Sequence, residues 1–188
     1  MKTNSKEALA QTYKWLRQYN LNDSHSGNCS LRDEGNFWVS PTGACADTLS
    51  AGDLICCDLE SNPTEGASLD AALHQAVYLQ NSSARAVLHS HNPYTIALTL
   101  DGNDFTPADF EGFYYFGTIP VIDISFDKYI EEAPKIIASL LTKHRIAIVR
   151  GHGVYSCAET INLAYKWVCS LELSAKTAYF ARTAGTLK

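Results

Sequence analysis

The sequence predicts a mixed α/β sandwich, with helices packed on a mostly antiparallel sheet. Short apolar runs of strand length are interspersed with longer stretches that have helical periodicity. The strand candidates have both helices and other strands as chain neighbours, which favours a mixed fold. With 188 residues, of which 46% are hydrophobic, the chain fits a single domain spanning residues 1–188.

Four stretches are predicted to be helical. Residues 5–20 place apolar side chains at helical spacing and open the chain. A second helix begins at Ser68, a suitable N-cap, and continues to Gln80. Residues 130–143 form the third, and a long closing helix is expected from about Ala158 to Ala181.

Five runs are predicted to be strands, because each is apolar, rich in β-branched or aromatic residues and followed by a turn signal. These runs are 37–40, 54–59, 86–91, 119–122 and 146–149. The order in which they pair cannot be obtained from these patterns.

Composition excludes two classes of partner. The net charge is −5 with no basic run, so no cationic face is expected for nucleic acid. The apolar runs are of strand length, far short of a membrane span. The N-terminal residues lack an apolar signal segment, so a cytoplasmic protein is expected, with its six cysteines reduced.

Two histidine motifs carry the strongest chemical signal. His89 and His91 are two residues apart at the end of an apolar strand, so their imidazoles should face the same way. His152 lies between two glycines after another strand, where the backbone can turn tightly. Either motif alone is more often an ordinary core or turn feature. Together they predict one site for a divalent metal, with three imidazoles and an open position.

Three blocks of the chain, in order and at matching separations, resemble the class II aldolase/adducin family of sugar-phosphate enzymes. They are Ser26–Arg32 with Ser40–Gly43, then Ser68–Asp70 with His74 and His89–His91, and finally Gly151–Val154. The resemblance spans residues 24 to about 180 and implies a three-layer sandwich with helices on both sides of the sheet.

The resemblance implies a role for each metal-site residue. His89, His91 and His152 correspond to the family's zinc ligands, although manganese, cobalt or iron would also suit such a set. Asp70 corresponds to an acidic residue that completes the metal shell at rest and later acts as a base. Taken alone, Asp70 would be an ordinary first-turn residue complementing a helix dipole.

The same resemblance implies a phosphate site. Asn28, Thr42, Gly43 and Ser68 correspond to the residues that hold the substrate phosphate through neutral donors and a helix N-terminus. The family usually has two serines before the acidic residue, and this chain has Leu69 in place of the second. A weaker phosphate contact or a different substrate tail is therefore expected.

A second acid/base residue is expected between residues 109 and 117, often acting across a subunit interface in this family. Glu111 is the first choice and Tyr114 the second. Phe110 and Phe113 fall near the positions where the family's aldolases and epimerases carry a tyrosine and an aspartate, so neither pattern is kept. An aromatic loop that packs a subunit contact is the alternative interpretation.

The resulting hypothesis is a metal-dependent lyase of the cytoplasm. It would cleave a small phosphorylated ketose by a retro-aldol reaction, through an enediolate stabilised by the metal. A 4-epimerase, a dehydratase or a decarboxylase on the same scaffold are alternatives, and a non-enzymatic interaction module like the adducin head is another. The resemblance also implies a homotetramer.

Overall fold

The computed structural model describes residues 3–187, and its centre is a seven-stranded sheet. The strands are β1 (Asn28–Asp33), β2 (Asn36–Val39), β3 (Ile55–Asp58), β4 (Ala86–Ser90), β5 (Val121–Ile122), β6 (Ile146–Val149) and β7 (Gly153–Ala158). Their order across the sheet is β3-β2-β1-β4-β7-β6-β5. Every neighbouring pair is antiparallel except β5 and β6, which are parallel.

Helices cover both faces of this sheet. They are α1 (Thr3–Gln18), α2 (Ala71–Gln80), α3 (Pro93–Leu98), α4 (Phe110–Phe116), α5 (Tyr129–Leu140) and α6 (Ile161–Thr183). A short 3-10 turn, Phe126–Lys128, leads directly into α5. The mixed, mostly antiparallel α/β fold that the sequence predicts is confirmed.

Two apolar clusters, one on each face, explain the three layers. Along β4 the side chains alternate, so that Ala86 and Leu88 join one cluster and Val87 joins the other. The first cluster packs under α1 and α6, and the second under α2 and α5. Burial on both faces is why β6 is apolar along its whole length, with Ile146 and Ile148 in the first cluster and Ala147 and Val149 in the second.

Several predicted boundaries need correction. The helix predicted from Ser68 begins at Ala71, with Asp70 as its N-cap residue. The closing helix begins at Ile161 rather than near Ala158, because Ala158 is the last residue of β7 and pairs with Ala86. The predicted strand 119–122 is reduced to its last two residues.

Two strands and two short helices were absent from the sequence-based prediction. Strand β1 escaped because Asn28, Ser30 and Arg32 alternate with apolar residues, which disguises a strand whose first four residues are all buried. Strand β7 is buried along all six residues. It was missed because its first residue, Gly153, belongs to the Gly151–Gly153 motif, which was interpreted as a turn. Helices α3 and α4 have six and seven residues, too few to display a helical period.

All six cysteines carry free thiols. Within residues 3–187, no helix combines the length and the apolar character that a membrane crossing requires.

Candidate metal centre and substrate pocket

The site is built on a row of three residues that runs across the middle of the sheet. Asn28 of β1 is paired with His89 of β4, and His89 is paired with Tyr155 of β7. Residues directly opposite in neighbouring antiparallel strands project from the same face of a sheet. Tyr155 belongs to the apolar cluster under α2 and α5, so the row faces those two helices.

His91 lies one residue beyond the end of β4, where the backbone is held by the loop after α1. Its N–H donates to the side-chain oxygen of Asn22 and to the carbonyl of Leu21, each at 2.8 Å. The two-residue separation from His89 keeps both rings on the same side, as the strand pattern predicts. The ring centroids of His89 and His91 are 4.8 Å apart.

His152 is brought to the same place by the tight turn between β6 and β7. Gly151 has φ +67°, a left-handed conformation that glycine adopts without steric cost. Gly153 lies so close to the histidines that an added Cβ would clash with the carbonyl oxygen of Ser90 and crowd the rings of His89 and His91. The two glycines therefore allow three imidazoles to meet.

The ring nitrogens of the three histidines lie within 4.8 Å of one another. The Nε2 atom of His89 lies 3.0 Å from that of His91 and 3.1 Å from that of His152. Two imidazole nitrogens bound tetrahedrally to zinc at about 2.0–2.1 Å lie about 3.3 Å apart, which is close to these separations. The two separations from His89 therefore fit a shared divalent metal, and all three histidines belong to one group that could hold it.

The protonation of these rings also suits a metal. The Nδ1 atom of His89 lies 3.1 Å from the carbonyl oxygen of Val154, so Nδ1 carries the proton and Nε2 keeps its lone pair. Burial lowers the pKa of His89 well below its ordinary value, and it also lowers the pKa values of His91 and His152. Neutral imidazole is the form that binds zinc.

Asp70 adjoins this group from the N-terminus of α2. Its carboxylate accepts hydrogen bonds from the Asn28 amide at 2.8 Å, the Tyr155 hydroxyl at 2.8 Å and the Tyr129 hydroxyl at 3.0 Å. Burial would raise the pKa of Asp70, but the nearby His89 and the hydrogen bond from Asn28 outweigh burial, so the pKa is lowered. Asp70 is therefore a buried carboxylate at the edge of the histidine group.

The four residues that the sequence assigns to a phosphate are gathered around one cavity of about 530 Å³, together with the three histidines and Asp70. These residues are Asn28, Thr42, Gly43 and Ser68. Ser68 is buried and its hydroxyl accepts the backbone N–H of Asp70, whereas Thr42 and Gly43 are exposed at the rim. The cavity thus connects the histidine group with the proposed phosphate donors.

The described lining of this cavity contains no lysine or arginine. Its outer part carries large apolar side chains that are open to solvent, namely Leu69, Phe126 and Ile130. An anion bound here would therefore be held by neutral donors, beside an apolar rim.

Glu111 lies elsewhere in the chain. It is exposed on α4, which packs on α6 and so belongs to the layer on the opposite side of the sheet. Tyr114, the second choice, is also exposed on this helix. Neither residue lines the cavity within one chain, so action across a subunit interface remains a prediction for both.

Tyr129 and Tyr155 are site residues that the sequence did not reveal. Tyr155 would have been found if β7 had been recognised, because its partner in the sheet is His89. The Tyr155 ring stacks on the His89 ring at 4.1 Å, and the Tyr129 ring lies 4.8 Å from that of His152. Burial raises the pKa of both tyrosine hydroxyls, which therefore stay protonated donors.

Known proteins with similar sequences catalyse several reactions. One is a 3-oxo-tetronate 4-phosphate decarboxylase of Haemophilus influenzae, 29% identical over 79% of this chain and 74% of its own length. Another is a methylthioribulose-1-phosphate dehydratase of Pseudoalteromonas translucida, 24% identical over 87% of this chain and 89% of its own.

A similar solved structure is an L-fuculose-1-phosphate aldolase from Thermus thermophilus. It superposes with a TM-score of 0.91 at 29% identity and covers 98% of both chains. Residues 7–179 match the family model described as the class II aldolase and adducin N-terminal domain. On the strength of that match, this chain belongs to the class II aldolase family.

Proposed function

We propose that this protein is a divalent-metal-dependent lyase that cleaves a small phosphorylated ketose by a retro-aldol reaction. The observation that carries the proposal is the convergence of three neutral Nε2 atoms beside a buried carboxylate in an open cavity. The similarity to an L-fuculose-1-phosphate aldolase over 98% of both chains supports this choice of reaction.

The metal would be held by the Nε2 atoms of His89, His91 and His152, and zinc is the first expectation. When bound, a divalent cation supplies positive charge that polarises the oxygens of a ketose and stabilises the negative charge that develops as a carbon–carbon bond breaks. The Val154 carbonyl fixes the orientation of the His89 ring, which is the usual function of a hydrogen-bond partner behind a metal ligand.

Substrate orientation would come from the other end of the cavity. The hydroxyls of Thr42 and Ser68, with the backbone at Gly43, would bind the phosphate close to the N-terminus of α2. Asn28 lies between the two ends, and its Oδ1 atom is buried without a partner among the described residues. That oxygen can accept a hydrogen bond from a ketose hydroxyl.

Asp70 would carry the proton that the reaction moves. Cleavage between C3 and C4 transfers one proton overall from the C4 hydroxyl to C3, so a group that takes up and returns a proton must face both atoms. Asp70 is buried at the edge of the histidine group and lines the cavity. Its lowered pKa keeps it ionised and able to accept a proton at neutral pH.

A second acid/base residue is needed to exchange a proton with the oxygen that becomes the aldehyde. Glu111 from a neighbouring subunit remains the first choice for it. An exposed position on α4 is compatible with that role only in an oligomer, which the family resemblance implies to be a homotetramer. We therefore propose a cytoplasmic homotetramer in which α4 of one chain reaches the cavity of the next.

The proposal is tested by incubating the metal-loaded protein with a panel of C5 and C6 ketose 1-phosphates. Dihydroxyacetone phosphate should be released from at least one of them, detected by coupling to NADH oxidation. The same activity should disappear in His91→Ala and persist in His144→Ala, which removes a half-buried histidine outside the cavity. Release of epimer without cleavage would contradict the lyase proposal and favour a 4-epimerase.

A decarboxylase or dehydratase is the second candidate. It is favoured by the similarity to a 3-oxo-tetronate 4-phosphate decarboxylase at 29% identity, the same identity as that of the aldolase structure. Retro-aldol cleavage, decarboxylation and dehydration all develop negative charge on the oxygen of a substrate carbonyl. A divalent metal stabilises that charge in the same way in each reaction. Carbon dioxide release or loss of water from the corresponding substrates, without aldehyde formation, would identify this alternative.

A further inference from the structure

The carboxylate of Asp70 is enclosed by donors that are all attached to rigid elements. Asn28 is on β1, Tyr155 is on β7 and Tyr129 is the first residue of α5, while Asp70 itself caps α2. Asn28 and Tyr155 donate to Oδ2, and Tyr129 donates to Oδ1. A carboxylate has about four acceptor positions, so most of its capacity is filled by the protein.

The two tyrosines are themselves braced against the histidines. The Tyr155 ring is parallel to the His89 ring, with an interplanar angle of 2° and a centroid distance of 4.1 Å. The Tyr129 ring meets the His152 ring edge-on at 4.8 Å, and the two tyrosine hydroxyls contact each other. The rings therefore lie along the wall of the metal site, and their hydroxyls point to the carboxylate.

The histidine group is complete without the carboxylate. Among the described residues, the ligand atoms that lie within 4.8 Å of one another belong to His89, His91 and His152, and Asp70 is not part of this group. Three protein ligands and an open position form the usual set of a catalytic zinc. Three protein donors leave the Asp70 carboxylate about one free acceptor position, so binding the metal through either oxygen would compete with these hydrogen bonds.

We propose that Asn28, Tyr129 and Tyr155 form a cage that holds Asp70 outside the metal shell, so that the metal has three histidine ligands from this chain and Asp70 faces the substrate. Tyr129 and Tyr155 are then positioning residues. The inference rests on the metal site of the proposed function, and it replaces the expectation that Asp70 completes the resting metal shell.

The test is the visible absorption spectrum of the Co²⁺-substituted protein, because cobalt bands report the number and type of ligands. Asp70→Asn should leave the positions and intensities of the wild-type bands unchanged within about a tenth. The double variant Tyr129→Phe/Tyr155→Phe should change the bands, because the carboxylate keeps only Asn28 as a donor and can reach the cobalt. Adding Asp70→Asn to the double variant should restore the wild-type spectrum.

Tyr78→Phe is the matched control, since it removes a fully buried hydroxyl whose partner is Ser30 rather than Asp70. Its spectrum should equal that of the wild type, and circular dichroism should verify that each variant is folded. A crystal structure of the zinc-loaded wild type gives a test that needs no variant. There, both Asp70 oxygens should remain hydrogen-bonded to the tyrosines and lie beyond bonding distance of the zinc.

Each result separates this inference from the function on which it rests. A wild-type protein that takes up no cobalt or zinc would overturn the metal site and this inference together. A protein that binds cobalt, but whose spectrum changes with Asp70→Asn, or whose Tyr129→Phe/Tyr155→Phe variant keeps the wild-type spectrum, would overturn the cage and leave the metal site intact. Direct bonding of Asp70 to zinc in the crystal would have the same consequence.

Discussion

The cavity has a histidine end, formed by His89, His91 and His152, and a proposed phosphate end around Thr42, Gly43 and Ser68, and the two ends differ in how they are built. The histidine end lies on paired strands, with His89 2% exposed and its ring oriented by the Val154 carbonyl. At the phosphate end, Thr42 and Gly43 are exposed on a turn, and Leu69 is 76% exposed. Under the proposed function, the rigid histidine end would determine the chemistry and the phosphate end would select the substrate, since loops on a rigid scaffold change most readily.

The largest expected effect comes from removing a ligand at the histidine end. His91→Ala should abolish stoichiometric zinc binding and reduce turnover at least about 1000-fold, because a metal contributes several kcal/mol of charge stabilisation in such reactions. The melting temperature should equal that of the metal-free wild type, since His91 lies beyond the end of β4. Metal analysis measures the zinc content, and the retro-aldol assay measures turnover. A normal zinc content would contradict the assignment of His91 as a metal ligand.

A pH effect on stability is expected from His74, which lies behind the site and is fully buried. Burial lowers the pKa of His74 from its ordinary 6.5 to about 4, so the unfolded state binds this proton first as the pH falls. The free energy of unfolding is therefore unaffected by His74 above about pH 6.5 and decreases as the pH falls toward 4. At pH 4.5 the decrease due to His74 should be about 2–3 kcal/mol.

Urea unfolding of the metal-free protein at pH 7 and pH 4.5 would measure this loss, and His74→Asn should reduce it. His89 contributes a loss of the same sign in both proteins, so the comparison isolates His74. Equal losses in the two proteins would show that His74 does not remain neutral in the folded state.

Gly153→Ala should damage the histidine end without removing a ligand. The new methyl group would clash with the Ser90 carbonyl and crowd two of the imidazoles, which should cost about 1–3 kcal/mol of unfolding free energy and weaken zinc binding. Gly35→Ala is the matched control, because nothing lies within 4 Å of its added Cβ. Thermal unfolding and zinc titration measure the two effects, and an unaltered zinc affinity would argue against close packing around the metal.

The smallest effect is expected at the phosphate end. Leu69→Ser adds a hydroxyl beside Ser68 and should lower the KM for a phosphorylated substrate about fivefold, the effect of one solvent-exposed hydrogen bond worth about 1 kcal/mol. The KM for the same sugar without phosphate should not change. Leu69→Ala, which removes the side chain without adding a donor, serves as the control, and an equal gain from both variants would exclude the added hydrogen bond as the cause.

The sequence predicted the histidine end better than its surroundings, and the reason is physical. Strand alternation links His89 to His91 locally, and the glycines around His152 signal a tight turn. Tyr129 and Tyr155 contact Asp70 at separations of 59 and 85 residues, which no local pattern contains.

The same reasoning explains the elements that were missed. In β1, Ser30 is fully buried because Tyr78 and His74 satisfy its hydroxyl, so a polar residue occupies a core position. Asp70 caps α2 without a side-chain hydrogen bond to the helix, since its carboxylate is used by the site. Ser68 is a residue type that often caps helices, and its hydroxyl accepts a hydrogen bond from the backbone N–H of Asp70.

The row formed by Asn28, His89 and Tyr155 restricts how this protein can change. Because each of the three is in register with its neighbour, inserting or deleting one residue within β1, β4 or β7 would turn the remaining side chains of that strand to the opposite face. The histidine end can therefore be modified only by exchanging side chains at constant strand length. Changes of length are confined to the loops around Thr42 and Leu69, where, under the proposed function, new substrate preferences would arise without disturbing the metal site.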